Sequence, residues 1–231
     1  SDTNQSTITV WPGTYMENVD LGSKGIHLMS TDPASKTIQE TTIIDANYAG
    51  VGIDIYQNTG EIIIEGFTIM HAGPGRKTSS RGDGTAAGIL INRGSGILRN
   101  NILTANGNET ENKGAVGICL LLSETTIYNN TITNNYNSDD GAGIQLVIGT
   151  STVYANTFTG NKSEGNGGAI VIGQDNSDSM ARDSANDTKA TLYGNSFTNN
   201  AGDKGGAIAV YDDAMVYNKA GEAWRAFNMP G

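Results

Sequence analysis

The segment Gly143-Ile144-Gln145-Leu146-Val147-Ile148 alternates with the two-residue period of a strand. That period sends Ile144, Leu146 and Ile148 to one face and Gln145 and Val147 to the other. Similar short apolar runs begin at Ile53, Ile89, Ile118, Ile170 and Ile208, each directly after a glycine or alanine. A second pattern follows, in which two apolar residues stand five apart: Ile64 and Ile69, Leu98 and Leu103, Ile127 and Ile132, Val153 and Phe158, Leu192 and Phe197. Self-similarity of this kind marks an architecture of stacked units. Three short strands per unit, with branched apolar residues inside and Gly or Asn at the corners, predict an all-β parallel β-helix of about six to seven coils.

Asparagine strengthens this reading. Asn101, Asn130, Asn156 and Asn195 occupy one slot between the paired apolar positions, and Asn106, Asn135, Asn161 and Asn200 close the same segment. In a parallel stack an amide bonds both to backbone and to its equivalent on the next coil, at a rung spacing of ~4.8 Å. Asn also accepts the left-handed conformation that a tight corner needs.

The repeat runs through most of the 231 residues, which favours one elongated domain over 1–215 and a non-repeat tail over 216–231. In the tail, Ala223, Trp224 and Phe227 have helix-like spacing, and the segment is a candidate cap for the open end. Only 37% of residues are hydrophobic and 31 are Gly, which suits a solenoid with a thin apolar centre. A formal charge of −10 argues against a nucleic-acid partner. Cys119 is the single cysteine, so neither a disulfide framework nor a cysteine metal site is expected. No apolar run approaches the ~20 residues of a membrane span.

The opening Ile8-Thr9-Val10-Trp11-Pro12-Gly13-Thr14-Tyr15-Met16-Glu17-Asn18-Val19, with Gly25-Ile26-His27-Leu28 and Thr42-Ile43-Ile44-Asp45, resembles the first coils of right-handed, single-stranded, pectin-lyase-like β-helix proteins. The stretches 156–161 and 195–200, each followed by Gly-Gly-Ala-Ile, are similar to the FxxN and GGAI repeats of polymorphic outer-membrane adhesins. This resemblance, over about residues 8–215, implies a secreted or cell-surface protein that binds or cuts polysaccharide. It carries the right-handedness as well, in keeping with the general handedness of parallel crossovers. The arginine motif of pectate-type lyases is missing, and of the polygalacturonase signatures only Asp139-Asp140 matches.

Chemistry is expected where the repeat is broken. The steps from Ile53 to Ile89 and from Ile170 to Ile208 are 36 and 38 residues, each about ten longer than the shortest step. The first excursion holds Arg76, Lys77 and Arg81, which suit an acidic glycan. The second is acidic, and Asp175 leaves the coil at the corner where Asp212 and Asp213 leave the next, so these three are candidate calcium ligands. A solvated acidic turn is the competing reading.

Along the outward face, Glu65, Arg99, Tyr128, Tyr154 and Tyr193 share one slot and form a predicted ladder. Aromatic rings with polar rims suit sugar faces, and stacked tyrosines also simply fit a pleated surface. The candidate substrate-binding residues are therefore Arg99, Tyr128, Tyr154, Tyr193, Arg76 and Arg81. On the other strand Asp54, Leu90, Cys119, Gln145, Val171 and Ala209 point outward as a stripe that is apolar in its middle. Such a face is expected to be covered, either by the excursion loops or by another subunit in a homo-oligomer or larger assembly. The leading expectation is a polysaccharide-binding module. The alternatives are a polysaccharide lyase or glycoside hydrolase acting on an acidic glycan, and a non-catalytic adhesin or assembly segment.

Overall fold

The computed structural model describes residues 5–73, 86–111, 114–173, 188–211, 214–221 and 223–225. It is a parallel β solenoid. A fourteen-stranded sheet begins with Ser6–Val10, Ile26–Ser30, Ile62–Glu65 and Ser95–Arg99. It continues through the long strands Val116–Tyr128 and Ile144–Tyr154 to Thr188–Tyr193 and Ala214–Tyr217. The first halves of those long strands also pair with Ala87–Asn92 on one side and Ile170–Ile172 on the other. A seven-stranded sheet runs from Gly13–Tyr15 to Ser196–Thr198.

The alternation along each strand accounts for the core. Ile53 and Ile55, Ile89 and Ile91, Ile118 and Leu120, Ile144 and Leu146, and Ile170 and Ile172 enter one apolar cluster with the columns that contain Ile64, Leu98, Ile127 and Val153 and Ile69, Leu103, Ile132 and Phe158. Ile148 departs from its expected inward place. It takes a left-handed conformation at φ 58, as Leu122 does at φ 51 and Arg93 at φ 61, so the strand turns there and its side chain packs against the second cluster instead. A β-branched residue in that region is strained, and the corner is held because each coil turns at the same place.

Both asparagine ladders form. Asn130 Oδ1 accepts from Asn101 N and Nδ2 at 3.0 and 3.2 Å, while Asn130 Nδ2 donates to Leu98 O, Tyr128 O and Asn156 Oδ1. Asn135 repeats the arrangement between Asn106 and Asn161. These amides are buried, and each satisfies corner groups that the strand ladders leave unpaired.

Two features differ from expectation, and a third settles between two alternatives. Lys36–Thr41 forms a short α-helix, capped by Ser35, whose Oγ accepts from Ile38 N. In the tail, Ala214–Tyr217 extends the parallel ladder on Thr188–Thr191, and Ala223–Arg225 is a strand rather than a helix, pairing antiparallel with Met215–Tyr217. The outward apolar stripe is no free surface: Leu90, Cys119 and Val171 are at most 1% exposed. Leu90 and Cys119 join Val51, Ala87, Val116, Leu121 and Val147 in a second apolar cluster. Of the two expected modes of cover, burial within the chain is the one the structure shows for these residues.

Candidate functional site

The ladder residues come from consecutive rungs of one sheet. Glu65 pairs with Arg99, Arg99 with Tyr128, Tyr128 with Tyr154 and Tyr154 with Tyr193. In-register parallel pairing puts like beside like, so the rings stack along the solenoid axis. Their centroids are 4.8 and 4.9 Å apart, with planes inclined by 6° and 7°. Arg99 lies 6.0 Å from the centroid of Tyr128, and Lys219 Nζ lies 5.5 Å from that of Tyr193. Each end of the stack thus meets a cation.

At the Arg99 end of the stack stands an ionic group built on the buried Glu65. Arg99 donates from Nε to Glu65 Oε2 at 2.6 Å, from Nη2 to Oε1 at 3.1 Å, and from Nη1 to the Tyr128 hydroxyl at 2.8 Å. His27 Nε2 lies 2.6 Å from Glu65 Oε1. Burial pushes the Glu65 carboxyl up, but the hydrogen bonds from Arg99 and His27 outweigh it and hold the group below its ordinary value. The same contacts, with Glu65 first and Tyr128 second, raise Arg99. Burial, followed by the neighbouring Tyr128 and Tyr193, raises the Tyr154 phenol. The Tyr154 phenol therefore stays protonated at ordinary pH, and a cation stands at each end of the stack.

This geometry changes what the tyrosines can offer. Both faces of Tyr154 are taken by its neighbours, and the outer faces of Tyr128 and Tyr193 by Arg99 and Lys219. The solvent meets ring edges and hydroxyls, not ring faces. Beside them Thr126, Thr152 and Thr191 form a parallel hydroxyl column in the same register. Periodicity alone finds Arg99, Tyr128, Tyr154 and Tyr193. It misses His27 and Lys219, which reach the ladder from other slots.

A second cluster lies at the start of the first excursion. His71 Nδ1 is 3.0 Å from Asp45 Oδ1, which also accepts from Asn47 N at 2.9 Å. The Tyr48 ring lies 4.9 Å from the imidazole. Burial, then Asp45 and Glu111, raises the Tyr48 phenol and keeps it protonated. An imidazole oriented by a carboxylate leaves its other nitrogen for proton transfer. The only sequence signal was a histidine adjacent to an interruption of the repeat.

Asp140 is occupied structurally. Its Oδ1 accepts from Asn166 N at 2.6 Å, and the Tyr211 hydroxyl donates to Oδ2. Arg76, Arg81, Asp175, Asp212 and Asp213 lie outside the described residues. Among the described residues, no group of three or more His, Cys, Asp or Glu side chains is placed to hold a metal ion. Comparison of the chain with protein-family models, with curated proteins and with solved structures found no match.

Proposed function

We propose that the chain is an extracellular or cell-envelope module that binds polysaccharide, and that its coils wind as a right-handed, pectin-lyase-like β-helix of six to seven turns. The observation that carries the binding reading is the tyrosine stack with its cationic ends. A straight row of phenol edges, repeated at coil spacing beside a threonine column, presents donors and acceptors at regular intervals to an extended chain of sugar hydroxyls. Arg99 donates to the Tyr128 oxygen, which leaves that phenol proton free to donate outward. Recognition in this arrangement works through hydrogen bonds from ring edges.

The test is retention on immobilised polysaccharides. Tyr154→Phe and Tyr193→Phe keep the stack and remove only hydroxyls, so each should weaken retention by about fivefold, the worth of one hydrogen bond, at unchanged thermal stability. Retention unaffected by both substitutions, or no retention of the unaltered chain on any polysaccharide, would sink the proposal.

The enzyme alternative has one specific observation in its favour, the Asp45–His71 pair beside a protonated Tyr48. It predicts release of unsaturated or reducing sugar ends from an acidic glycan, abolished by His71→Ala. A screen that detects no product release from acidic glycans would remove it.

A further inference from the structure

We infer that Asp20 and Asp54 form a proton-sharing pair that tightens the join between their two coils on acidification. The strands Val19–Asp20 and Ile53–Tyr56 pair in parallel, with Val19 opposite Ile53 and Asp20 opposite Asp54. Ile53 lies in the core and Val19 packs against it, so alternation turns both carboxylates to the outer side of the sheet. In-register pairing sets them side by side at the rung spacing of ~4.8 Å. Like charges directly opposite each other repel.

Asp54 does not relieve this repulsion by turning to water. Its Oδ1 is buried and has no hydrogen-bond partner. On its other side Ala87–Asn92 sets Leu90, only 1% exposed, in register with Asp54, so the carboxylate heads the covered apolar stripe. Asp20 is exposed, and its Oδ1 accepts from Gly22 N at 2.8 Å. The two members are therefore unequal, and Asp54 is the one that takes the proton. Burial first and Asp20 second push its carboxyl up, outweighing the Ile55 N–H, which pulls it down. The proton comes from solvent, removes one of two charges, and gives the pair a donor where it had only acceptors.

Among the described residues of the strands that flank it, no basic group offsets the pair. Val19–Asp20 contributes Asp20, Ile53–Tyr56 contributes Tyr56 two residues along, and Ala87–Asn92 contributes no titratable side chain. The sign follows from the raised value. The folded carboxyl keeps its proton at pH values where the unfolded one, near its ordinary 3.8, has lost it. Between that value and the raised folded-state value, stability from this pair falls as pH rises, and above it the repulsion is felt in full. Two backbone bonds cross the join, from Val19 N to Gly52 O at 2.9 Å and from Leu21 N to Asp54 O at 3.0 Å.

Carboxyl NMR titration of the full chain reads the proton, and amide exchange at Leu21 reads the join. Asp54 should titrate above its ordinary value. Asp20→Asn keeps the acceptor for Gly22 N and removes the like charge, so it should move that midpoint down. The Leu21 protection factor should rise by about twofold or more as pH falls through the Asp54 titration, and stay level in Asp54→Asn. If Asp54→Asn fails to fold, the rise at Leu21 must instead follow the shifted midpoint in Asp20→Asn. An Asp54 that titrates at or below its ordinary value, or whose midpoint ignores Asp20→Asn, overturns the pairing. Leu21 protection indifferent to the Asp54 titration overturns the tightening.

Discussion

Arg99 grips both carboxylate oxygens of Glu65 from the neighbouring coil, at 2.6 and 3.1 Å, and spends its remaining donor contact on the Tyr128 hydroxyl. The Glu65 side chain is only 5% exposed, so its charge depends on that grip. Removing the cation leaves a buried carboxylate held by His27 alone, and Arg99→Ala should destabilise the chain by about 2 to 3 kcal/mol, measured by urea unfolding. Arg99→Lys should recover part of this, since one ammonium cannot reproduce the fork.

The pH dependence follows from the same group. The folded-state value of Glu65 lies below its ordinary 4.5, so its contribution is fully present above that value and is lost as pH falls through the lower folded-state value. Thermal unfolding of the unaltered chain should therefore weaken on acidification more steeply than that of Glu65→Gln. Parallel acid profiles for the two would contradict this account.

Asn130→Ala should cost about 3 kcal/mol or more, because it orphans Asn101 N–H and carbonyls of two coils at once. Asn130→Asp keeps the acceptor and loses the donors, and should also be strongly destabilised. Equilibrium unfolding that places either variant within experimental error of the unaltered chain would show that the ladder is not a stabilising device.

Glycine offers a paired comparison. Gly22 and Gly107 both have positive φ, at 61 and 79, but an added Cβ at Gly22 meets nothing within 4 Å, whereas at Gly107 it meets Tyr136 O at 2.0 Å. Gly22→Ala should cost about 1 kcal/mol of left-handed strain. Gly107→Ala must also displace backbone, and its loss on chemical denaturation should be clearly larger.

Cys119 reports on the covered stripe. It is fully buried, with Sγ 3.5 Å from Gln145 Oε1. Its reaction with a thiol reagent should be slow in the native protein and rapid in denaturant. Fast native labelling would mean that the stripe opens readily to solvent.

The inward columns and the asparagine slots were legible in the chain because a parallel, in-register stack needs the same residue type at the same place on successive coils. The tyrosine ladder was legible for the same reason: Tyr128, Tyr154 and Tyr193 keep one offset from an inward residue. The sense in which Ile148 points was not, since a left-handed turn interrupts the alternation there without altering the apolar pattern.

By itself, then, the sequence determined the solenoid, its register and the membership of its ladders, all of which depend on local alternation and repetition. Tertiary structure decided that the apolar stripe lies inside the chain, that the tyrosines offer edges rather than faces, that His27 reaches Glu65, and that Asp45 orients His71. Those outcomes depend on where side chains from different slots and coils meet. No period along the chain encodes such a meeting, because its energy depends on distances set only when the coils stack.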